Sequence, residues 1–84
     1  MTWQARVVQQ VELLRASNGG SFDVEVKGDA VVLSYGSMHG TKVIPENGGY
    51  SVIAWGHSPP YNAGNYETPE YAAVAAFAAI RVLD

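Results

Sequence analysis

The side chains in this sequence best suited to bond-making chemistry are two serine and histidine pairs, Ser37 with His39 and His57 with Ser58. A serine hydroxyl next to a histidine base, with Asp23 or Glu25 to orient the ring, would be an apparatus for acyl transfer. The spacing argues against it. Neither serine stands in Gly-x-Ser-x-Gly, and Ser37 and His39, one residue apart in an extended stretch, would share a side without a supporting acid. A zinc or iron centre needs three or more ligands at recognisable spacing. Here no His-Glu-x-x-His and no suitably spaced carboxylate pair accompanies the two imidazoles, and there is no cysteine. Gly48-Gly49 and Asn18-Gly19-Gly20 lack the following Lys-Ser/Thr and helix start of a phosphate cradle, so they read as turns. Ser58-Pro59-Pro60-Tyr61 has neither Pro-x-x-Pro spacing nor Pro-Pro-x-Tyr order and reads as a stiff loop segment. The expectation is a protein with no catalytic residue, no cofactor and no metal.

Composition narrows the classes further. With 84 residues the chain makes one domain, and without cysteine that domain has no disulfide staple, which fits a reducing, cytoplasmic setting. The start Met1-Thr2-Trp3-Gln4-Ala5-Arg6 leads into an amphipathic pattern, and no apolar run is long enough to span a bilayer, so no membrane partner is expected. A net charge of -3, from scattered acidic and basic residues, gives no electrostatic footprint for nucleic acid.

The elements that would position any site follow from periodicity. Trp3, Val7, Val11 and Leu14 form one helical stripe, with Thr2 as cap and Asn18-Gly19-Gly20 as terminator. From Ser21 to Lys27 the residues alternate, and Gly28-Asp29 suits a type II′ turn that would pair Val26 with Val31, Val24 with Leu33 and Phe22 with Tyr35. A second hairpin is predicted from Thr41–Pro45 and Tyr50–Trp55, closed by a type I′ turn at Asn47-Gly48 and setting Val43 opposite Val52. Its other face carries Ile44, Ile53 and Trp55, so this hairpin is apolar on both sides and one side needs a cover. Thr68 caps a last helix with Pro69 at its first position and alanines after it. The predicted fold is α+β, in the order α-β-β-β-β-α: an N-terminal helix, a four-stranded antiparallel sheet of two hairpins, and a C-terminal Ala-rich helix, both helices on one face of the sheet.

Two surfaces are candidates for binding. The connection from Gly56 to Glu67 is long for so small a chain, and its Tyr, Asn, Gly and Ser content is that of binding loops. Within it His57, Tyr61, Asn62, Asn65 and Tyr66 are the predicted partner-binding residues, with the two tyrosines as anchors. Alternatively these tyrosines fold back over Ile53 and Trp55. On the last helix, residues set about 100° apart place Val74 and Phe77 in the sector of Glu70, Arg81 and Asp84. Opposite them lie Ala72, Ala75, Ala76, Ala79 and Leu83. Val74 and Phe77 then form either an exposed patch for a partner or a homodimer, or part of the core with Tyr71.

The order helix, strands, alanine-rich helix resembles the double-stranded-RNA-binding domain in topology. In that family lysines at the start of the last helix grip phosphates, whereas here Thr68-Pro69-Glu70-Tyr71 stand there and Glu67 adds negative charge. The resemblance therefore carries no RNA contact. The expected function is non-enzymatic protein binding, in the manner of small phage or mobile-element inhibitors that occlude host defence complexes, as anti-CRISPR proteins do. Other classes left open are a nucleic-acid-binding domain and a small homodimeric enzyme or ligand binder.

Overall fold

A computed structural model describes residues 1–56 and 59–81, together with the backbone alone at Val82. Helix α1 (Trp3–Asn18) begins where the Thr2 hydroxyl accepts the Ala5 N–H at 3.1 Å, and ends where the Gly19 N–H donates to the Arg15 carbonyl at 2.7 Å. Five strands follow: β1 (Asp23–Lys27), β2 (Ala30–Tyr35), β3 (His39–Glu46), β4 (Gly49–Trp55) and β5 (Tyr61–Tyr66). They form one antiparallel meander in chain order, and helix α2 (Pro69–Val82) closes the fold. The Thr68 hydroxyl caps α2 by accepting the Tyr71 N–H at 3.2 Å.

The turns set the register. Positive φ at Gly28 alone in the first hairpin, and at both Asn47 and Gly48 in the β3–β4 hairpin, are the signatures of types II′ and I′. Val26 pairs with Val31, Val24 with Leu33 and Val43 with Val52, as the alternation requires. The link Gly36-Ser37-Met38 is itself a tight turn, so β2 and β3 also pair and the two hairpins merge into one sheet.

The sheet has five strands rather than four. The stretch predicted as loop contains β5, which pairs with β4 through backbone groups and therefore does not need an alternating apolar pattern. A bulge at this pairing sets Ala63 and Gly64 against the single residue Val52. Its Asn and Gly residues serve that irregularity: the Asn62 side-chain oxygen accepts the Gly64 N–H at 2.7 Å.

Both helices lie on one face. α2 crosses β2 to β5, while α1 packs chiefly along α2 and reaches the sheet at β2 and, through Trp3, at Tyr50, 5.2 Å between ring centroids. Between the layers Val7, Val11, Phe22, Val31, Leu33, Val43, Val52, Ala72, Ala73, Ala76, Phe77 and Ile80 form the core. Buried alanines let α2 come close enough for the Thr41 hydroxyl to donate to the Ala76 carbonyl at 3.1 Å. The helices run parallel. Arg6 grips Glu70 with two bonds of 2.7 Å at their N-terminal ends, and Arg81 donates to the Asn18 carbonyl at 3.0 Å at the other. Those bonds hold the Glu70 carboxyl below the usual carboxylate range and raise Arg6.

The sector of α2 that was to hold Val74 and Phe77 together is divided. Phe77 is 6% exposed, set 5.7 Å from Phe22, with the Arg81 guanidinium over its ring. Val74 is 43% exposed and looks outward with Tyr71 and Ala78.

Candidate binding face

Strand periodicity sends every second side chain away from the helices, and on this side the register builds three cross-strand rows. The central row is Glu25, Val32, Lys42, Ile53 and Asn62. One flanking row is Asp23, Ser34, Gly40 and Trp55, and the other includes Ile44, Ser51 and Asn65. An antiparallel sheet commonly keeps such a face polar and wet. Here its middle carries Val32, Ile44, Ile53 and Trp55, all half-buried, and no helix among the described residues packs on it. A depression of about 370 Å³ lies there, lined by Lys27, Val32, Lys42, Ile53, Trp55 and Pro60.

Gly40 makes room for the indole. A Cβ built at Gly40 would stand 2.7 Å and 2.8 Å from Cζ2 and Cη2 of Trp55, so the ring lies against the sheet floor where any side chain would prop it away. At the opposite end a polar clamp holds the edge strand. The Ser51 hydroxyl donates to Glu46 Oε1 at 2.7 Å, and Asn65 Nδ2 donates to Ser51 Oγ at 2.9 Å and to the Glu46 carbonyl at 3.0 Å.

The charges on this face are unevenly matched. Lys27 Nζ lies 3.6 Å from Glu25, and Glu46 is engaged with Ser51. Arg6, Arg15 and Arg81, away from this face, each donate to a protein oxygen. Among the described residues Lys42 is the one Lys or Arg side chain with neither a hydrogen bond nor an ion pair, and it is half-buried in the middle strand between Val32 and Ile53.

The residues predicted for binding fall in separate places. Asn62 and Asn65 lie on the open face. Tyr61 and Tyr66 pair with Ala54 and Tyr50, on the helix side, so they do not cover Ile53 and Trp55. Tyr66 packs against the core and donates its hydroxyl proton to the Ala63 carbonyl at 3.1 Å. Val74 is on the outer surface of α2, Phe77 is inside, and His57 is outside the described residues. Lys42, Val32, Lys27 and Pro60 were missed. The signal that could have found the first two is the two-sided β3–β4 hairpin, because its register extended to β2 puts Lys42 and Val32 in the row of Ile53.

Among the described residues, the acids proposed to orient a histidine do not meet His39. It pairs with Tyr35 on the helix side, with ring centroids 4.9 Å apart, whereas Asp23 and Glu25 belong to the opposite face. Ser58 is outside the described residues. Among the described residues no group of three or more His, Asp and Glu side chains could hold a metal ion, and no helix is long and apolar enough to cross a membrane. No known protein family matches the sequence, and neither curated proteins nor solved structures show a similar chain.

Proposed function

We propose that this chain is a non-enzymatic protein-binding module that docks its partner through the open face of its sheet. The observation that carries this reading is the apolar centre of Val32, Ile44, Ile53 and Trp55 on a face that neither helix covers, in a chain that has already built a core on the other side. Trp55, lying close over Gly40, is an aromatic of the kind that concentrates binding energy. The Asp23, Glu25, Lys27 and Glu46 rim supplies the polar border that such interfaces share.

A small domain with one such face acts by occlusion, covering a surface that a larger assembly needs. A phage or mobile-element inhibitor of a host defence complex, of the anti-CRISPR type and working in the cytoplasm, is the role we attach to it. Its support is the lack of cysteine and the apolar open face, since no motif specifies a target. Site-specific photocrosslinking tests the reading. With a benzophenone amino acid at Ile53 and, separately, at Val74, a partner should be captured from the Ile53 position. The purified partner should then bind wild type and not a folded Ile53→Glu variant. Capture from Val74 alone, or binding that survives Ile53→Glu, refutes docking through the sheet.

A further inference from the structure

Resting on the open face as the docking surface, we infer that its occupant is a protein segment bearing an acidic side chain within two residues of a large apolar one. The apolar side chain seats on Trp55, Ile53 and Val32, and the carboxylate meets Lys42 with Lys27 beside it.

The argument begins with Lys42. Covering Val32 and Ile53 with any apolar surface also takes the ammonium between them out of water, and an ammonium desolvated without a counter-ion opposes docking. No carboxylate among the described residues lies within ion-pair distance of it. The occupant must therefore bring one. Lys27 lines the same depression, and of the two lysines only Lys27 has an acid nearby, Glu25 at 3.6 Å. In a chain with a net charge of -3, the lining of this depression thus holds two lysines and no carboxylate, the acids Asp23, Glu25 and Glu46 standing at its rim. Like-charge contact at such a position rejects basic segments, and complementary charge selects acidic ones.

Size points the same way. A depression of about 370 Å³ takes one large side chain together with a carboxylate, and falls at the small end of ligand sites, which run from about 300 to 1,000 Å³. A second copy of the chain is a poorer occupant. Lys42 occupies the central row of the middle strand, so a two-fold axis through the middle of the face would bring the two Lys42 ammonium groups together.

The test is a selection with a random twelve-residue peptide library, displayed on phage. The target is the full chain tethered through Ala78→Cys, an exposed position on the helical side and the sole thiol. Enriched peptides should carry Asp or Glu within two positions of Trp, Phe, Leu or Ile. A synthetic representative should bind about tenfold more weakly when its acid is changed to the amide, and similarly to Lys42→Gln, with the loss shrinking in high salt. The peptide-side change is informative even where a variant folds poorly. Selection against Lys42→Glu should enrich Lys or Arg instead.

Enriched peptides without acidic bias, whose binding is lost in Ile53→Glu, overturn the acidic occupant and leave the docking face standing. Peptides indifferent to Ile53→Glu overturn both, and a selection that enriches nothing overturns the acidic occupant. Micromolar self-association that disappears in Ile53→Glu makes the occupant a second copy, and displacement of the peptide by a thymidine oligonucleotide makes it a nucleic acid. Either result refutes the inference.

Discussion

Replacing Gly40 with alanine should damage both the fold and the binding face, and the structure separates the two effects. The added Cβ would clash with the Leu33 carbonyl oxygen and meet the Trp55 ring at 2.7 Å and 2.8 Å. The indole can rotate away, but the carbonyl belongs to the paired strand β2 and yields only if the β2–β3 ladder shifts. Overpacking of this kind costs about 1–3 kcal/mol. The backbone clash places this case at about 2–3 kcal/mol, a large fraction of the 5–15 kcal/mol typical of a folded protein. For a domain of this size that corresponds to a fall in melting temperature of roughly 10–20 °C, at about 4–8 °C per kcal/mol. Urea denaturation followed by far-UV circular dichroism gives the stability, and near-UV dichroism compared with a Trp55→Phe control follows the indole. A Gly40→Ala protein with melting within about 2 °C of wild type and an unchanged near-UV spectrum would refute the placement of Trp55 over Gly40, and with it the shape of the depression.

Phe77→Ala should cost about 3–5 kcal/mol, as for a filled aromatic core site, while Val74→Ala should stay within about 0.5 kcal/mol; equal effects in chemical denaturation would contradict their division between core and surface. Gly48→Val forces a β-branched residue into the left-handed region at φ 76° and should lose about 1–2 kcal/mol or more, so unchanged thermal unfolding would rule out the I′ turn. Because Arg6 holds the Glu70 carboxyl below its ordinary value, this pair stabilises the fold above the unfolded carboxyl value, near about 4, and that contribution disappears as pH falls through the lower folded value. The melting-temperature gap between wild type and Glu70→Gln should thus be constant near neutrality and close in acid, and a gap that widens in acid would reverse the assignment.

Much of the architecture was legible because independent local signals agreed. Thr2 and Thr68 cap as expected, the Gly28 and Asn47-Gly48 turns dictate their registers, and Val7 and Val11 are buried with Trp3 and Leu14 packed beside them. Strand β5 was not legible, since an edge strand of Tyr, Asn, Ala and Gly has no alternation to read. The same bulge scrambles face assignment. Asn62 and Asn65 are three apart and would point oppositely in a regular strand, yet the extra residue returns both to the open face and puts both tyrosines on the other. On α2 the boundary between core and solvent runs between Val74 and Phe77, positions about 60° apart, and flanking alanines of equal hydropathy give no clue to where it falls. The binding face was foreshadowed by the two-sided β3–β4 hairpin, but which side the helices would leave bare depends on their tertiary placement.

The parallel pairing of α1 and α2 has a consequence for how the chain reaches its native state. Each turn of the meander joins neighbours in sequence and can close early, whereas Arg6 must find Glu70 across 64 positions and Arg81 must find Asn18 across 63. During synthesis, α1 emerges before the sheet and waits for a helix made after it. Until α2 settles, the nascent sheet has apolar side chains on both faces, and afterwards on one. The interval before α2 docks is therefore when aggregation competes with folding, and substitutions that delay α2 should lower soluble yield more than equilibrium stability would suggest.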